Sequence, residues 1–456
     1  MNSPANSTSG QLPAYITSAV PNPPEKRAPW FKNTAPTYAG IFLWFVYWDS
    51  MSSNGLATGG LGATLLGIVA GALICHFLFY LVPGLLGLKT GLPLYVVGTS
   101  TFGAAGGLIM PGFLMGLLQF GWLGVNTWGS AHALADGFGA SGLFYPLCVI
   151  WALGAALVGL KGIQYVARVS TYLPLIPLAV LIIGIALFAG DAGTYAPPPT
   201  ASGGGLAAIL TMVGAIVGFF ATAGAAGVDF GLNSRDKNDV SMGGIVGIII
   251  AIIFTTGISV ICVAGAHASG AIGPETVKMT DALKGKLPAG LYAAIMIGLT
   301  LSSFPGACFS SFIAANSFKT VMPGVSPFLS VGIGAIVSMI LALTNAAGNL
   351  PAVFGVIGAS FGPICGAMMV DYILAGNRWS GPRAGFNPAG WIAWAIGFLV
   401  GILPNIKVWL KLGIPDIPAA PVVAFVVGAV LYFLCAKMGM LSPIQPLPAA
   451  NAPSNR

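Results

Sequence analysis

The stretch FVYWDSMSSNGLATGGLG, residues 45–62, lies in the first long apolar segment of the chain and has features that an uninterrupted membrane helix avoids. Asp49 is followed by a run of small residues from Ser50 to Gly62. Glycine costs about 1 kcal/mol relative to alanine in a helix interior, and an unwound backbone in a membrane must line a cavity or contact protein. We therefore predict that the first span is interrupted over residues 50–62, beside Asp49.

The composition predicts an integral membrane protein. Of the 456 residues, 56% are hydrophobic and 6% are charged, and the mean hydropathy is +0.89. In a soluble protein about a quarter of the residues are charged. This chain has too few charged residues to cover the surface of a water-soluble protein of its length. The six cysteines lie in apolar stretches without metal-site spacing. We interpret them as small hydrophobic residues and expect no cofactor.

Apolar windows of about 20 residues predict twelve spans. They lie at 38–62, 64–88, 105–133, 142–161, 170–190, 206–228, 242–267, 288–315, 326–345, 350–375, 388–407 and 420–440. With the N-terminus in the cytoplasm, the positive-inside rule is obeyed, because few Lys and Arg residues fall in outer loops. Those few are Lys278, Lys284, Lys286, Lys407 and Lys411. We expect a multi-pass plasma-membrane protein with both termini cytoplasmic. This charge asymmetry explains the net charge of +7, so we expect lipid and not nucleic acid as a partner.

A second cluster of small residues, ATAGAAGVD at 221–229, interrupts the sixth span. One broken helix opening each half of a ten-span core is typical of inverted-repeat transporters. The predicted organisation is a disordered cytoplasmic tail (1–37), a first five-helix repeat (38–190), a second, inverted repeat (206–375), two accessory helices (388–440) and a cytoplasmic tail (441–456). The alternative interpretation is that these glycines serve close packing between membrane helices.

Asp49 is the acidic residue that lies well within a predicted span. An ionisable group in the membrane costs several kcal/mol, on the order of 3 or more, unless it faces a polar cavity or a partner. Asp49 is therefore a candidate functional residue. The alternatives are that it lies closer to the interface or forms a structural pair.

One face of the third span combines an aromatic ring with two amides. Gln119, Trp122 and Asn126 are spaced i, i+3 and i+7, so they share one helical face. Amides both donate and accept hydrogen bonds, which suits the mixed edge of a planar polar solute. The alternative is an interfacial tryptophan with amides that join neighbouring helices.

Four motifs, in order along the chain, resemble the nucleobase–cation symporter family of cytosine, purine and hydantoin permeases. They are GLKTGLPLYVVGTSTFG (87–103), LLQFGWLGVNTWG (117–129), GFFATAGAAGVDFGLNSRD (218–236) and FGPICGAMMVDYIL (361–374). The resemblance covers roughly residues 38–440. It implies an all-α fold of twelve transmembrane helices with a leucine-transporter-like five-plus-five inverted-repeat core and discontinuous helices 1 and 6.

The resemblance also implies a site for a flat heterocycle between spans 1, 3, 6 and 8. Trp122 and Phe220, with Phe219 beside it, match the aromatic residues that hold the ring, and Gln119 and Asn126 match the polar groups at its edge. A sodium site is implied at the carbonyls of about Val46 to Asp49 and the hydroxyls of Ser302 and Ser303. The cytoplasmic residues Lys89, Asp229, Arg235 and Asp371 match family positions. We expect these four to act in gating or structure, or simply as interface anchors.

Two departures from the family pattern concern the substrate. In LSSFPGACFSSFIAAN (301–316), Pro305 should kink the helix and Cys308 falls near the position of an expected amide, with Ser310 and Asn316 as imperfect replacements. Asp49 is the second departure. Three roles compete for its carboxylate: ligand of sodium, carrier of a coupling proton, or counter-ion of a cationic substrate.

The sequence therefore predicts a secondary active transporter rather than an enzyme. We expect import of a nucleobase or related small heterocycle in symport with Na⁺ or H⁺ by alternating access. The alternative is a transporter of the same fold for a cationic amine or charged pyrimidine derivative, with Asp49 as its counter-ion. An enzyme would need a nucleophile–base pair or a metal cluster, and the three scattered histidines provide neither.

Overall fold

The computed structural model describes residues 12–52, 54–161, 164, 166, 170–198, 203–273 and 276–447. Within these residues the chain is helical, and its only β-structure is two isolated bridges. We number the helices after the predicted spans. Helix 1a is Thr34–Phe42, 1b Phe45–Met51, 2 Leu56–Thr90, 3 Leu108–Gly137, 4 Phe144–Lys161, 5 Leu175–Thr194, 6a Gly204–Ala225, 6b Gly227–Gly231, 7 Lys237–Ala268, 8 Ala289–Val321, 9 Pro327–Leu343, 10 Leu350–Leu374, 11 Pro388–Leu410 and 12 Ala420–Lys437.

Two ends of the helix bundle can be distinguished. The upper end contains Asp49, Asp136 and a short helix, Met279–Lys286, that precedes helix 8 and is called the loop helix below. The lower end contains Asp229, Asp371 and the segment that links helices 2 and 3. Consecutive spans run between these ends in alternating directions.

The predicted membrane spans correspond closely to these helices. Ten helices in the described part of the chain are long and apolar enough to cross a membrane. The other two spans fall below that length, because helix 1 is divided in two and helix 9 has 17 residues. Large apolar side chains such as Leu66, Ile150 and Ile340 are more than half exposed on the outside of the bundle. This surface is the one that lipid would contact.

The interruption of helix 1 lies upstream of the predicted position. Helix 1a ends at Phe42 and helix 1b begins at Phe45, and Trp44 between them has extended dihedrals of φ −61° and ψ 119°. Residues 46–49, which were predicted to supply free carbonyls, therefore lie inside helix 1b. Hydropathy does not mark this break, because the residues on both sides of it are apolar.

The small residues after Asp49 have a packing role instead. Gly55 closes the turn between helices 1b and 2, and a side chain there would collide with Thr64 at 2.7 Å. A Cβ atom on Gly59 would lie 2.6 Å from the Cβ of Ala208 in helix 6a. Gly60 adopts φ +77°, which kinks the start of helix 2. The packing interpretation of these glycines is therefore correct for this stretch.

Helix 6 is interrupted within the predicted window, but only slightly. Ala226 separates helices 6a and 6b and keeps dihedrals of φ −62° and ψ −8°. The glycines on either side allow close approach of helix 2, since a Cβ on Gly224 would lie 2.7 Å from Phe79 and one on Gly227 would lie 2.9 Å from Tyr80. The two repeats thus differ in how completely their first helix is broken.

The N-terminal segment from residue 12 onward is packed, in contrast to the predicted disordered tail of 1–37. Ile16 in the short helix Ala14–Thr17 is buried. Arg27 donates to the carbonyls of Asn22 and Leu88, and Tyr15 donates to the carbonyl of Ala104. Backbone acceptors on the lower end satisfy these polar groups, and composition alone does not reveal such partners. Residues 1–11 of the predicted tail lie outside the described residues.

Helices 11 and 12, the two predicted accessory helices, pack against helix 10. A Cβ on Gly428 of helix 12 would approach Pro363 of helix 10 to 2.5 Å, and one on Gly401 of helix 11 would meet Ala359 at 2.9 Å. These close approaches are the small-residue contacts that hold membrane helices together.

Candidate functional site

Four aromatic side chains from four different helical segments converge in the middle of the bundle, and we call them the aromatic chamber. Trp44 comes from the break in helix 1, Trp122 from helix 3, Phe219 from helix 6a and Phe354 from helix 10. The ring centroids of Trp122 and Phe219 are 5.1 Å apart, those of Phe219 and Phe354 are 5.5 Å apart, and those of Trp44 and Trp122 are 6.2 Å apart. The break in helix 1 therefore places an indole directly in this chamber.

The rings of the chamber differ in their orientation to Trp122. Phe354 is inclined to the indole plane of Trp122 by 35° at a centroid distance of 6.1 Å, whereas Phe219 meets it edge-on at 84°. A planar solute between two rings needs them about 7 Å apart, twice an optimal carbon–carbon contact. Trp122 and Phe354, with centroids 6.1 Å apart and planes inclined by 35°, would thus have to move apart and become more parallel to hold a flat ring between them.

The aromatic partner of Trp122 on helix 6 is Phe219, not Phe220 as the family match implied. Phe220 is fully buried and packs on Tyr38 and Phe42 of helix 1a, at 5.7 and 5.8 Å between ring centroids. Successive residues on a helix point in directions about 100° apart, so only one of the two phenylalanines can face helix 3. The structure leaves Phe220 on the side of helix 1a.

Gln119 lies one turn from Trp122 and has an underused amide group. Its side chain is buried, and its only hydrogen bond among the described residues goes to the Met115 sulfur at 3.7 Å. A thioether is a weak acceptor, so most of the bonding capacity of this amide is free. Trp122 Nε1 donates to Thr222 Oγ1 at 3.3 Å. Gln119 and Thr222 are thus polar groups beside a largely apolar chamber.

Asn126 is fully engaged by protein groups. Its amide nitrogen donates to the carbonyl of Ser303 at 3.0 Å, and its oxygen accepts from Trp151 Nε1 at 2.9 Å and from Ser130 Oγ at 3.3 Å. These bonds join helices 3, 4 and 8. The alternative of an amide that binds helices together describes Asn126 better than contact with a solute.

The groups expected to bind sodium already take part in helix geometry. The hydroxyls of Ser302 and Ser303 donate to the Leu299 carbonyl at 2.7 and 3.0 Å. The Val46 side chain packs against helix 3, where a Cβ on Gly129 would lie 2.4 Å from it. Hydroxyl oxygens that donate to a carbonyl still have lone pairs for a cation. Among the expected carbonyls, those of Trp48 and Asp49 lie in the last turn of helix 1b, where no helical N–H follows to bind them, and the Asp49 carbonyl accepts from Ser52 Oγ at 2.8 Å.

Asp49 lies at the upper end, and both of its carboxylate oxygens bind one residue of the loop helix. Oδ1 accepts from the backbone N–H of Thr280 at 2.9 Å, and Oδ2 accepts from the Thr280 hydroxyl. The carboxylate is 6% exposed. Ser52, one turn later, donates to the carbonyl of Val277 at 2.8 Å. Asp49 therefore attaches helix 1b to the loop before helix 8, as the structural-pair alternative anticipated.

The expected amide replacements on helix 8 do not lie in the chamber. Cys308 is buried in a separate cluster with Leu123 and Ala155, between helices 3, 4 and 8. Asn316 is exposed. Helix 8 continues through Pro305 as one helix, Ala289–Val321.

Among the four charged lower-end residues, Asp371 and Arg235 form ion pairs with partners that sequence reasoning did not name. Asp371 Oδ1 lies 3.3 Å from Arg383 Nη2 and accepts from the Tyr432 hydroxyl at 2.7 Å. Arg235 binds Asp239 at 2.6 Å, one turn later on the chain. Both acids are buried, whereas the Arg235 side chain is half exposed.

Lys89 and Asp229 use neutral partners at the same end. Lys89 donates to the hydroxyl of Tyr372 at 3.0 Å and to the carbonyl of Asn377. Asp229 accepts from the backbone N–H of Leu94 at 2.9 Å, at the start of a short helix that links helices 2 and 3. The four predicted residues thus share one end of the molecule without pairing with one another.

A cavity of about 820 Å³ lies between helices 1b, 6a and 10 and the segment before helix 12. Ser50, Trp128 and Lys278 line its upper part, and Phe354 of the aromatic chamber lines its wall. Phe354 therefore separates the chamber from a space large enough for a small heterocycle. No group of three or more His, Cys, Asp or Glu side chains in the described ranges could hold a metal ion.

Sequence reasoning missed Trp44 and Phe354. Trp44 directly precedes residues 45–62, and the helix break at Trp44 has no sequence signal because its neighbours are apolar. Phe354 carries no sequence signal apart from being a large ring in a helix rich in Gly and Ala.

The fold and this central chamber define a class of membrane transporter with inverted repeats, and structural comparison agrees. The chain is similar to the inward-facing conformation of Mhp1 with a TM-score of 0.68 and 18% identity, over 97% of this chain and 98% of that one. It is similar to the closed conformation of Mhp1, a nucleobase-cation-symport-1 family transporter with bromovinylhydantoin bound, with a TM-score of 0.65 and 17% identity, over 96% and 98% of the chains. A Na⁺-coupled sialic acid symporter matches with a TM-score of 0.58 and 12% identity, over 95% and 93%.

Residues 20–415 match the family of permeases for cytosine/purines, uracil, thiamine and allantoin. The protein belongs to this family. It is a multi-pass membrane permease and not an enzyme, as the sequence predicted. None of the curated proteins compared with the chain matches it.

Proposed function

We propose that this protein imports a nucleobase or a related small planar heterocycle, in symport with Na⁺ or H⁺, by alternating access. The observation that carries the proposal is the aromatic chamber, in which the ring centroids of Trp122 and Phe354 lie 6.1 Å apart with their planes inclined by 35°. The underused amide of Gln119 lies one helical turn from Trp122. Stacking on an aromatic face contributes about 1–3 kcal/mol per base and tolerates different rings. The Gln119 amide supplies a donor and an acceptor for the ring edge.

A neutral solute suits this chamber better than a cation. The four rings and Gln119 supply no counter-charge. A cation among them would depend on attraction to the ring faces, which contributes about 0.5–2 kcal/mol and returns less than the burial of an unpaired charge costs. Asp49, the candidate counter-ion, already accepts two hydrogen bonds from Thr280 at the upper end. A cationic substrate would have to displace Thr280 from this carboxylate.

The packing of the helices supports a moving bundle and a scaffold. Helix 2 packs tightly on helix 6a, where a Cβ on Gly67 would lie 2.8 Å from Met212. Helix 3 is joined to helix 8 through Asn126 and Ser303. We propose that helices 1, 2, 6 and 7 move against helices 3, 4, 8 and 9, with the chamber between them. The carbonyls at the break of helix 1 and the hydroxyls of Ser302 and Ser303 would hold the coupling cation, if it is Na⁺.

Uptake into proteoliposomes tests the proposal. Labelled cytosine, uracil, adenine, allantoin and hydantoin are offered with an imposed Na⁺ gradient, an imposed proton gradient, or neither. We expect gradient-driven uptake of at least one solute, and loss of about tenfold or more in affinity for Trp122→Ala because the stacking surface is removed. Trp409→Ala, at a half-exposed tryptophan of helix 11, is the matched control. If the folded protein takes up none of the five, the nucleobase proposal is wrong.

Asp49→Asn separates the proposal from its alternative. The amide keeps an acceptor oxygen for Thr280, so we expect neutral heterocycles to be bound and exchanged as before. Loss of binding of organic cations with neutral rings unaffected would support the cationic-substrate alternative. Exchange without accumulation would assign proton coupling to Asp49.

A further inference from the structure

The indole N–H of Trp44 has no hydrogen-bond partner among the described residues. It is one of four buried side-chain polar atoms without a partner in the described part of the chain. Other tryptophans satisfy theirs: Trp48 donates to the Leu43 carbonyl at 3.1 Å, and Trp394 donates to the Ser360 carbonyl at 3.0 Å. Buried donors are paired in the great majority of cases, so a lone one indicates a cost that function can explain.

The position of Trp44 makes a structural explanation of the lone donor insufficient. The residue lies at the break of helix 1, where the extended backbone directs its ring into the aromatic chamber next to Trp122 and Phe219. Neither of these neighbours offers an acceptor to an indole, because the Trp122 N–H is itself a donor and Phe219 has no polar atom. An acceptor for this N–H would therefore have to come from a solute that enters the chamber or from a movement of the surrounding helices.

The ring angles determine how a solute would meet this donor. The indole planes of Trp44 and Trp122 are inclined by 70°. A flat solute stacked on Trp122 would therefore lie at a steep angle to the Trp44 ring. The indole N–H lies in the plane of its own ring, so it can reach an atom at the solute's edge along the line in which the two planes meet. Trp donates and cannot accept, so the matching group on the solute must be an acceptor.

We propose that Trp44 Nε1 donates a hydrogen bond to an acceptor on the substrate, and that this bond selects heterocycles with a ring carbonyl oxygen. The inference deepens the proposed function and rests on it. The Gln119 amide can bind a ring edge that carries both donors and acceptors. Trp44 can only donate, so a ring that presents a donor or an apolar atom to the indole N–H leaves this N–H unpaired and binds more weakly. A site with a buried donor discriminates strongly against an analogue that leaves the donor unpaired.

Matched ligand pairs test this assignment. Binding of cytosine and 4-aminopyrimidine, and of uracil and 4-pyrimidinone, is measured for the wild type and for Trp44→Phe, which keeps an aromatic ring but removes the N–H. The second member of each pair lacks one ring carbonyl. We expect Trp44→Phe to weaken binding of at least one carbonyl-bearing ligand about fivefold to tenfold and to change its partner less than twofold. The proposal would be overturned if, in both pairs, Trp44→Phe weakened binding of the two members equally or changed the binding of neither.

A second measurement separates the donor from a purely structural tryptophan. Trp44→Phe and Trp394→Phe remove the same ring volume, but only Trp394 also loses a hydrogen bond, to the Ser360 carbonyl. Because the Trp44 side chain makes no hydrogen bond to the described residues, we expect Trp44→Phe to lower the Tm of the ligand-free protein less than Trp394→Phe does. A fall in Tm for Trp44→Phe larger than that for Trp394→Phe would contradict the lone-donor assignment. The proposed function is judged separately, by the uptake assay with five solutes. If the wild type takes up adenine, which has no ring carbonyl, and binds none of the four pyrimidine ligands, the Trp44 assignment fails and the proposed function stands.

Discussion

Two buried aspartates, Asp49 at the upper end and Asp371 at the lower end, are held in different ways. Both are nearly inaccessible, with 6% and 4% exposure. Asp49 has its two oxygens on a single residue, Thr280 of the loop helix. Asp371 is bound by the guanidinium of Arg383 and the hydroxyl of Tyr432, from separate segments of the chain.

Arg383, the partner of Asp371, is itself bound by two further segments of the lower end. Its guanidinium also donates to the carbonyls of Ser100 at 2.8 Å and Ser442 at 3.0 Å. Separation of the lower segments would leave several buried polar groups unpaired at once, whereas the upper contact separates when one loop helix moves. The two aspartates show that a buried acid can have all its partners in one segment or in several. The contact with one segment can be lost by the movement of that segment alone, whereas the contact with several segments holds a larger part of the fold together.

Asp371→Ala should have the largest effect of the variants that test this comparison. The substitution leaves the Arg383 guanidinium, whose side chain is 9% exposed, without its counter-charge. We expect a loss of about 3–5 kcal/mol in stability, the usual cost of breaking a buried pair, measured as a fall in Tm of the purified protein in detergent. Asp416→Ala, at an exposed pair with Lys407, should cost about 0–1 kcal/mol. If Asp371→Ala and Asp416→Ala lowered the Tm equally, the buried contacts of Asp371 would stabilise the fold no more than an exposed ion pair does.

Asp49→Ala should have a smaller and more local effect. Thr280 loses two hydrogen bonds, but its N–H and hydroxyl can reach water when the loop helix lifts. We expect a loss of about 1–3 kcal/mol and faster hydrogen exchange at the Thr280 amide. The amide of Leu94, held by Asp229 at the other end, should exchange as before.

The matched control for Asp49→Ala is Asp136→Ala. Asp136 also binds the loop helix, through the exposed pair with Lys284 at 3.1 Å, so its removal should change stability by less than about 1 kcal/mol. Faster exchange at both Thr280 and Leu94 in Asp49→Ala would mean that Asp49 supports the whole fold and not one joint.

Thr280→Val should have the smallest effect. It removes the hydroxyl bond to Asp49 and retains the backbone bond at 2.9 Å. We expect a loss of about 1 kcal/mol, clearly below that of Asp49→Ala, by thermal unfolding. An effect as large as that of Asp49→Ala would assign the whole contact to the hydroxyl.

Several features of the site could not be predicted from the sequence, for geometric reasons. Phe219 and Phe220 are adjacent, and only the rotation of helix 6a in the bundle decides which of them meets Trp122. Asn126 has the spacing of a binding residue, but Ser303 of helix 8 takes its amide. Thr280, the partner of Asp49, is 231 residues away along the chain.

The sequence by itself determined the membrane character, the spans, the family and the interruption at 221–229, because hydropathy and the cost of glycine in helices are local properties. It also identified the helix-3 face with Trp122 and Gln119, since helical spacing is local as well. Only the tertiary structure decided where helix 1 breaks and what Asp49 binds. The break at Trp44 lies between apolar residues, and the partner of a buried carboxylate is fixed by packing between distant segments, which no local pattern records.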